Sequence, residues 1–563
     1  MHKISVIVLL IILALAFFLR FYKLGEVPNG FYQDESAIGY NALSIIETGR
    51  DEHGESFPLY FASFGDYKLP VYIYSAIPSI KLFGFTEFAV RLPSALFGFL
   101  TVFVFYFFIK ALTSNIRFAL VGTLLLAINP WHLHYSRATF EVSISLFLFV
   151  LGGYLLNKAF QNATRSLFFL GTACFFINIY TYNLTRMLSP ILFLLFLFFY
   201  RQKFNAVSKK ELGLAIVACF LLLTPFIMTL FMAGGFSSAG GTFIASSGAV
   251  KAPLLELRSY FIDLPPLFTK VFFNMFVLTF WRFLENVASY ASPSFLFISG
   301  STHGNHGIGN VGQFYLFEFP IIVFGLYRII REKISWGYFL LLWALVVIAV
   351  ASLTREAPHA TRSFFLVVPF TVFSAAGMLA AWNWIGTMKN AMHRSIFLMA
   401  LAGLAAYSIV YYFTSYYVRF PVAYAKAWAT ADRDLSIYLA SVSSRYEKII
   451  FDKKAGFIYT SLLFYQKFPP SEFQQTAIYE PKDSEGMSAI SRFAKYEFRD
   501  IHWEADLKDK NALIITTNQE RPKESVVKAT FAYPARPVVI STKQEILQYP
   551  VVDSAYVVVE TEK

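Results

Sequence analysis

Long apolar runs recur along this chain, separated by short polar stretches. About 20 mostly apolar helical residues cross a bilayer's hydrocarbon core. Stretches centred on 4–19, 89–109, 117–131, 142–157, 166–181, 187–200, 212–232, 314–330, 336–352, 363–382 and 395–413 fit that pattern, which predicts about eleven spans. The opening "MHKISVIVLLIILALAFFLR" has the basic start and apolar core of a signal peptide. The many spans after it predict an uncleaved first helix instead. Three longer pieces interrupt the apolar pattern: 20–88, 233–313 and 414–563. In the last, "DRDLSIYLASVSSRY" keeps helical spacing, while "KIIF", "NALIITT", "PVVIS" and "AYVVVE" read as strands.

The first piece carries two amphipathic segments. In "DESAIGYNALSIIETG", Ile38, Ala42, Ile45 and Ile46 line one helical face, and Gly49 suits the position just past the helix end. Asp34 is then its expected N-cap. In "FGDYKLPVYIYSAIPSIKLFG", Pro70 and Pro78 argue against a straight span. Both segments are expected to lie in the membrane interface.

The fold class that follows is an α-helical polytopic membrane protein over residues 1–415, followed by an extracytoplasmic α/β domain over 416–563. Composition agrees: the 563 residues are 56% hydrophobic and only 15% charged, against about 25% charged in soluble domains. The formal charge of +12 is unevenly placed, since residues 420–563 hold equal numbers of acidic and basic side chains. The whole excess lies among the spans, which assigns it to topology and anionic lipid rather than nucleic acid. With the N-terminus inside, the inner loops carry Lys110 and Arg117; Lys158 and Arg165; Arg201, Lys203, Lys209 and Lys210; Arg328, Arg331 and Lys333; Lys389 and Arg394. That is the positive-inside pattern. An odd number of spans then puts the C-terminal domain outside the cell membrane. Cys174 and Cys219 both sit in apolar runs, so neither a disulfide framework nor a cysteine zinc site is expected in the C-terminal domain.

Candidate chemistry gathers on the outer side. Asp34 and Glu35 are adjacent acids after the first span, and Asp66 and Lys68 precede the second amphipathic segment. The loops "NPWHLHYSRATFE", "YTYNLTRMLSP" and "TREAPHATRSFF" add His132, His134, Arg137, Tyr182, Arg186, Arg355, His359 and Arg362. Each alone is an ordinary interface anchor. Together they could offer carboxylates beside donors for an anionic lipid phosphate. His303 and His306 in "STHGNHGIG" have no adjacent acid, which makes a weak metal signal. There is no P-loop, dinucleotide fingerprint or zincin motif. No cofactor is required by the sequence, and nothing in it supports a divalent metal.

The order of these pieces resembles the GT-C membrane glycosyltransferases, specifically the protein O-mannosyltransferase and aminoarabinose-transferase group. The resemblance covers residues 1–415. It rests on the acidic pair Asp34-Glu35 in the first outer loop and on "GDYKLPVYIY" before an aromatic, proline-containing helix. "LFGFTEFAVRLPSALFGFLTVFVFYF" and the later polar loops complete it. Tyr67 stands between Asp66 and Lys68, where the family usually has its acid directly beside the lysine. The resemblance implies transfer of a sugar from a polyprenyl-phosphate donor in the outer leaflet to a hydroxyl of a protein, glycan or lipid, with inversion. By position it implies Asp34 as base, Asp66 as orienting donor or acceptor, and Lys68 at the phosphate. Glu35, Arg137, Tyr182, Arg186, His359 and Arg362 are further expected substrate contacts. The competing readings are a transporter or flippase of lipid-linked sugars and a membrane-anchored binding protein. Transporters place ionisable residues near the midplane, whereas here the charges gather on a rim.

Overall fold

A computed structural model of the chain describes residues 2–63, 66–201, 213, 217, 223–224, 243–245, 247–261, 263–453, 458–481, 488–517, 521–534, 538–541, 546–549 and 554–561. The predicted span 212–232, most of the Gly/Ser-rich run after it, Cys219, Lys203, Lys209 and Lys210 lie outside the described residues. Two compact units share the chain. One comprises Met1–Tyr22, Ser94–Ser136 and Phe140–Phe413; the other comprises Lys23–Pro93, Arg137–Thr139 and Thr414–Lys563.

The first unit is helical. Among the described residues, seven helices are long and apolar enough to cross a membrane: Lys3–Phe21, Glu87–Thr113, Glu141–Asn162, Pro266–Ile298, Ser335–Ser352, Ala360–Gly386 and Ala391–Ala423. Shorter apolar helices occupy Ile116–Ile128, Arg165–Tyr180 and Thr185–Phe199. Small residues bring the helices Glu318–Arg331 and Val367–Gly386 together. A Cβ on Gly377 would stand 1.9 Å from the Ile321 carbonyl oxygen, and one on Gly325 would stand 2.1 Å from that of Phe373. Such close backbone approach is how helices pack where lipid competes for apolar contact. Ile4, Leu10, Leu194, Trp382, Ile396 and Val410 are exposed, as a lipid-facing surface requires.

Pro266–Ile298 falls in a stretch that the sequence assigns to an outer loop. Arg282, Glu285 and Asn286 dilute its apolar pattern, and the helix breaks at Phe273 and Ala291. The second unit bears on this segment. There Ser36 Oγ donates to Thr460 Oγ1 at 2.8 Å, so these two residues stand on the same side of any membrane. The chain must cross an even number of times between them. The ten predicted spans in that interval satisfy this; an additional full crossing by Pro266–Ile298 would not.

The second unit is built on a mixed seven-stranded sheet. Its strands are β3 (Lys448–Asp452), β4 (Ile478–Tyr479), β5 (Ile490–Phe493), β6 (Tyr496–Arg499), β7 (Ala512–Thr516), β8 (Val526–Ala532) and β11 (Ser554–Glu560), in the order β4-β5-β6-β3-β7-β11-β8. Only β3 pairs in parallel, with β6 on one side and β7 on the other. Two separate hairpins complete the strands: β1 (Phe61–Ser63) with β2 (Asp66–Lys68), and β9 (Val538–Ser541) with β10 (Ile546–Tyr549). Alternation sorts the side chains. Ile449, Phe451, Leu513, Ile515 and Val558 join one core with Leu435, Leu439, Leu462 and Phe473. Ile450, Ile514, Val557 and Val559 form the other face, covered by Ile501, Trp503 and Leu507. Tyr40 and Leu43 of the helix Gln33–Thr48 belong to the first of these cores.

One buried acid gives this sheet a pH signature. Asp432 accepts from the Tyr556 hydroxyl at 3.0 Å, and burial raises its carboxyl to about 6. A folded-state pKa above the unfolded value stabilises below the unfolded pKa, and that contribution is lost as pH rises through about 6. Asp432→Asn keeps an acceptor for Tyr556. It is expected to raise stability above pH 6 by at most about 3 kcal/mol, at ~1.4 kcal/mol per unit, and the melting temperature with it. Melting curves between pH 4 and 8 check this, with the advantage vanishing at the acid end.

Candidate active site

The helix α2 (Gln33–Thr48) carries the acidic pair in its first turn. Its start is two residues earlier than the sequence suggests, so Tyr32 is the cap and Asp34 is not. Its end is as expected: Gly49 has φ +69° and donates its N–H to the Ile45 carbonyl. The expected one-sided interfacial helix is instead covered around its circumference, with every residue from Glu35 to Ile45 buried. Polar positions off the apolar stripe find partners far along the chain. Besides the Ser36–Thr460 bond, the Tyr40 hydroxyl donates to the Phe468 carbonyl at 3.1 Å. Gln474 Nε2 donates to Ser44 Oγ, Thr48 Oγ1 and the Asp51 carbonyl. The C-terminal region thus grips the helix that bears the acids.

The two acids meet different fates. Glu35 is fully buried. Its Oε1 accepts from Arg91 Nε, Thr139 N–H and Thr139 Oγ1, each at 2.9 Å, and Oε2 accepts from the other guanidinium arm at 2.8 Å. Arg91 uses all five donors. Those left after Glu35 go to the carbonyls of Leu24, Pro28 and Gly30. Its guanidinium also lies over the rings of Phe31 and Trp428. Gly30 has φ +130°, and a Cβ there would stand 2.2 Å from the Trp428 carbonyl oxygen, so no larger residue fits. Glu35, expected to contact substrate, is enclosed here, with both its oxygens bonded to Arg91 and Oε1 also to Thr139.

Asp34, one residue earlier, stays open. Its side chain is 48% exposed and pairs with Lys68 Nζ at 2.5 Å, while Lys68 is largely covered. The β1–β2 hairpin presents Lys68, with Phe61 opposite Lys68 and Ser63 opposite Asp66. Leu69 and Pro70 then start the helix Pro70–Phe83. Alternate positions of a strand share a face, so the interposed Tyr67 leaves positions 66 and 68 on the same side. The Asp66 side chain lies outside the described residues.

Arg137 is also buried. Its Nε donates to the Tyr416 hydroxyl at 3.3 Å and one NH2 group donates to the carbonyls of Lys23 and Val27. Rings of Tyr416 and Tyr417 flank it. This guanidinium, expected at a phosphate, ties down the start of the first loop.

In the helical unit, the later loops form a cluster of their own. The rings of His306 and His359 are 4.6 Å apart, with His303 5.6 Å from His359. His306 Nδ1 bonds Thr361 Oγ1, which also bonds the Tyr135 hydroxyl. Burial, then the charges of His306, Arg362 and His303, holds the His359 imidazole down at about 2, so it is neutral. Arg362 donates to Thr354 Oγ1, the Glu356 carbonyl and Glu356 Oε2, and its charge reaches Tyr182. Arg186 lies half-buried in the first turn of Thr185–Phe199, and Arg355 is exposed. His132 bonds Arg20 at 2.7 Å and His134 bonds the Asn305 carbonyl, so both brace the loop. Among the described residues no group of three or more His, Cys, Asp or Glu is set to hold a metal ion.

Arg91 and Thr139 are not identified as site residues from sequence. A signal for Arg91 exists: an arginine within the first turns of an apolar span is costly unless paired. Thr139 gives none.

Comparison with known proteins follows the same geometry. Residues 10–233 match the family described as dolichyl-phosphate-mannose-protein mannosyltransferase (PMT). Two Bacillus subtilis (strain 168) proteins, whose names carry the word mannosyltransferase, are similar. YycA is 25% identical over 245 residues, covering 42% of this chain and 34% of its own. YkcB is 28% identical over 239 residues, covering 40% and 31%. The chain spans about a third of the length of these curated relatives. ArnT from Cupriavidus metallidurans in the apo state superposes with TM-score 0.54 at 14% identity, covering 98% of this chain and 97% of that one. Its crystal structure with undecaprenyl phosphate superposes at 0.51 with the same coverage. At that identity the likeness is one of fold. Residues 10–233 therefore match the PMT family, and the chain shares its overall fold with ArnT.

Proposed function

We propose that this protein transfers a sugar from a polyprenyl-phosphate donor to an acceptor hydroxyl at the outer face of the cell membrane, with inversion. The observation that carries the reading is Asp34, the half-exposed member of the acidic pair, held by Lys68 while Glu35 is locked behind it. The match of residues 10–233 to the PMT family and the undecaprenyl phosphate bound by ArnT support a lipid-phosphate donor.

The chemistry follows from the pair. In the resting site Lys68 holds the Asp34 carboxylate. A donor phosphate competes for the ammonium, which frees the carboxylate. The acceptor oxygen then attacks the anomeric carbon from the face opposite the phosphate, and its proton passes to Asp34. The bond from the anomeric carbon to the phosphate oxygen breaks, and its electron pair leaves on polyprenyl phosphate, whose charge Lys68 stabilises. Holding both substrates beside α2 supplies proximity. Asp66 orients donor or acceptor from the same hairpin. Tyr182, Arg186, His359 and Arg362 contribute to substrate binding on the helical unit, with His359 as a neutral hydrogen-bonding group. The N-terminus lies inside, and the sheet domain lies outside with Asp34.

The test is transfer by the purified full chain from a panel of polyprenyl-phosphate hexoses and pentoses, with membrane extract as acceptor. The product's anomeric configuration is read by NMR. Inverted product supports the reading. Retained configuration, or no transfer from any donor, contradicts it.

A further inference from the structure

A second carboxylate lies beside this site and the mechanism above does not use it. Glu52 follows α2 in the loop between Gly49 and the β1–β2 hairpin, and its side chain is fully enclosed. Neither of its oxygens has a hydrogen-bond partner among the described residues. Its backbone N–H donates to Asn41 Oδ1 at 3.1 Å, and the Asn41 amide nitrogen is committed to the Ala37 carbonyl. Asn41 is seven residues after Asp34. That is two helical turns, so both lie on one face of α2 about 10 Å apart.

The surroundings of Glu52 are polar and under-used. His53 Nε2 stands 3.7 Å from Glu52 Oε1 and bonds the Ala62 carbonyl of β1, and its ring lies against Tyr479. The Tyr479 hydroxyl and Ser63 Oγ are likewise buried without a partner among the described residues. The charged and titratable groups that act on Glu52 or feel its charge are His53, Asp51, Lys68, Tyr40, Tyr459 and Tyr479. Burial raises the Glu52 carboxyl, while His53 and Lys68 oppose that shift. An enclosed carboxylate whose oxygens take no hydrogen bond among the described residues weakens a fold, even with the His53 ring 3.7 Å away. Groups kept at such a cost are drawn disproportionately from functional sites.

We propose that Glu52 recognises the donor sugar, its carboxylate accepting hydrogen bonds from ring hydroxyls of the glycosyl group whose anomeric carbon is attacked beside Asp34. Asp34 then handles the acceptor proton, Lys68 the phosphate, and Glu52 the identity of the sugar. This rests on the transfer reaction proposed above.

The test uses the full chain with the polyprenyl-phosphate hexose found active in the donor panel, and its 2-, 3-, 4- and 6-deoxy analogues. Glu52→Gln is expected to raise the donor KM about tenfold or more, the scale of a lost hydrogen bond to a charged group. The acceptor KM should stay within about twofold. The same variant should melt higher than wild type at pH 7 to 8, because a buried acid with a raised pKa loses stability as pH climbs towards that value. At least one deoxy donor should be disfavoured by wild type about tenfold and no longer by the variant. That preference is read on wild type alone if the variant is poorly folded. An unchanged donor KM, an effect on the acceptor KM instead, a lower melting temperature, or equal use of every deoxy donor by wild type would each overturn the proposal. If wild type moves sugar from no polyprenyl-phosphate donor, the transfer reading fails and this inference falls with it.

Discussion

Asp34→Asn is expected to lower the turnover number about 10²- to 10⁴-fold, the usual worth of a positioned general base. The variant should still fold. The contacts that fix α2 are the Glu35–Arg91–Thr139 lock, the Ser36–Thr460 bond and the Gln474 amide, none of which uses the Asp34 carboxylate. Asparagine keeps a hydrogen-bond acceptor for Lys68 but cannot take a proton at neutral pH. The donor KM should therefore change little while turnover collapses, the pattern of an interaction made only in the transition state. Lys68→Met should do the reverse in part, raising the donor KM as well. Initial rates against donor concentration separate the two. Wild-type turnover in Asp34→Asn would reduce Asp34 to a charge at a helix end.

The second large effect concerns stability. Arg91→Met is expected to destabilise the protein by about 3–5 kcal/mol, because it leaves Glu35 charged, buried and without its countercharge. The Leu24, Pro28 and Gly30 carbonyls lose their donor at the same time. Glu35→Leu should cost a similar amount by stranding the guanidinium. The double variant Arg91→Met/Glu35→Leu should be clearly less destabilised than the sum of its parts, since an apolar pair of similar volume often replaces a buried ion pair at little cost. Some loss remains because the Thr139 N–H is left without its acceptor. Thermal unfolding of the four proteins in detergent checks the cycle. Additive losses would mean that the pair is not a coupled lock.

These two residues also show what a sequence can reveal here. The acidic pair, its position after the first span and the end of α2 at Gly49 follow from local pattern. The division of labour between Asp34 and Glu35 does not. It depends on Arg91 and Thr139, 56 and 104 residues from Glu35. The circumference of α2 was illegible for the same reason. Ser36, Tyr40 and Ser44 read as polar or aromatic positions off the apolar stripe, and their partners Thr460, Phe468 and Gln474 are more than 400 residues away. The strands β3, β7, β9 and β11 were legible because each is a short β-branched or apolar run, and alternation suffices to find them. Basic side chains misled most. Arg137 reads as a phosphate contact, yet its donors serve the Tyr416 hydroxyl and the carbonyls of Lys23 and Val27. Arg362, also expected at substrate, makes its bonds to Thr354 and Glu356. Residue type shows which donors exist, but not which are already used by the fold.

The central claim is that the bond between sugar and lipid phosphate breaks at this site. The most direct measurement places the full chain in sealed proteoliposomes with a polyprenyl-phosphate sugar labelled with ³H on the sugar and ³²P on the phosphate, together with acceptor extract. The account predicts that the labels separate, with ³H entering acceptor and ³²P remaining on lipid, and that separation is lost in Asp34→Asn. Labels that stay on one molecule and cross the bilayer together would contradict it, and would make the protein a transporter of lipid-linked sugar.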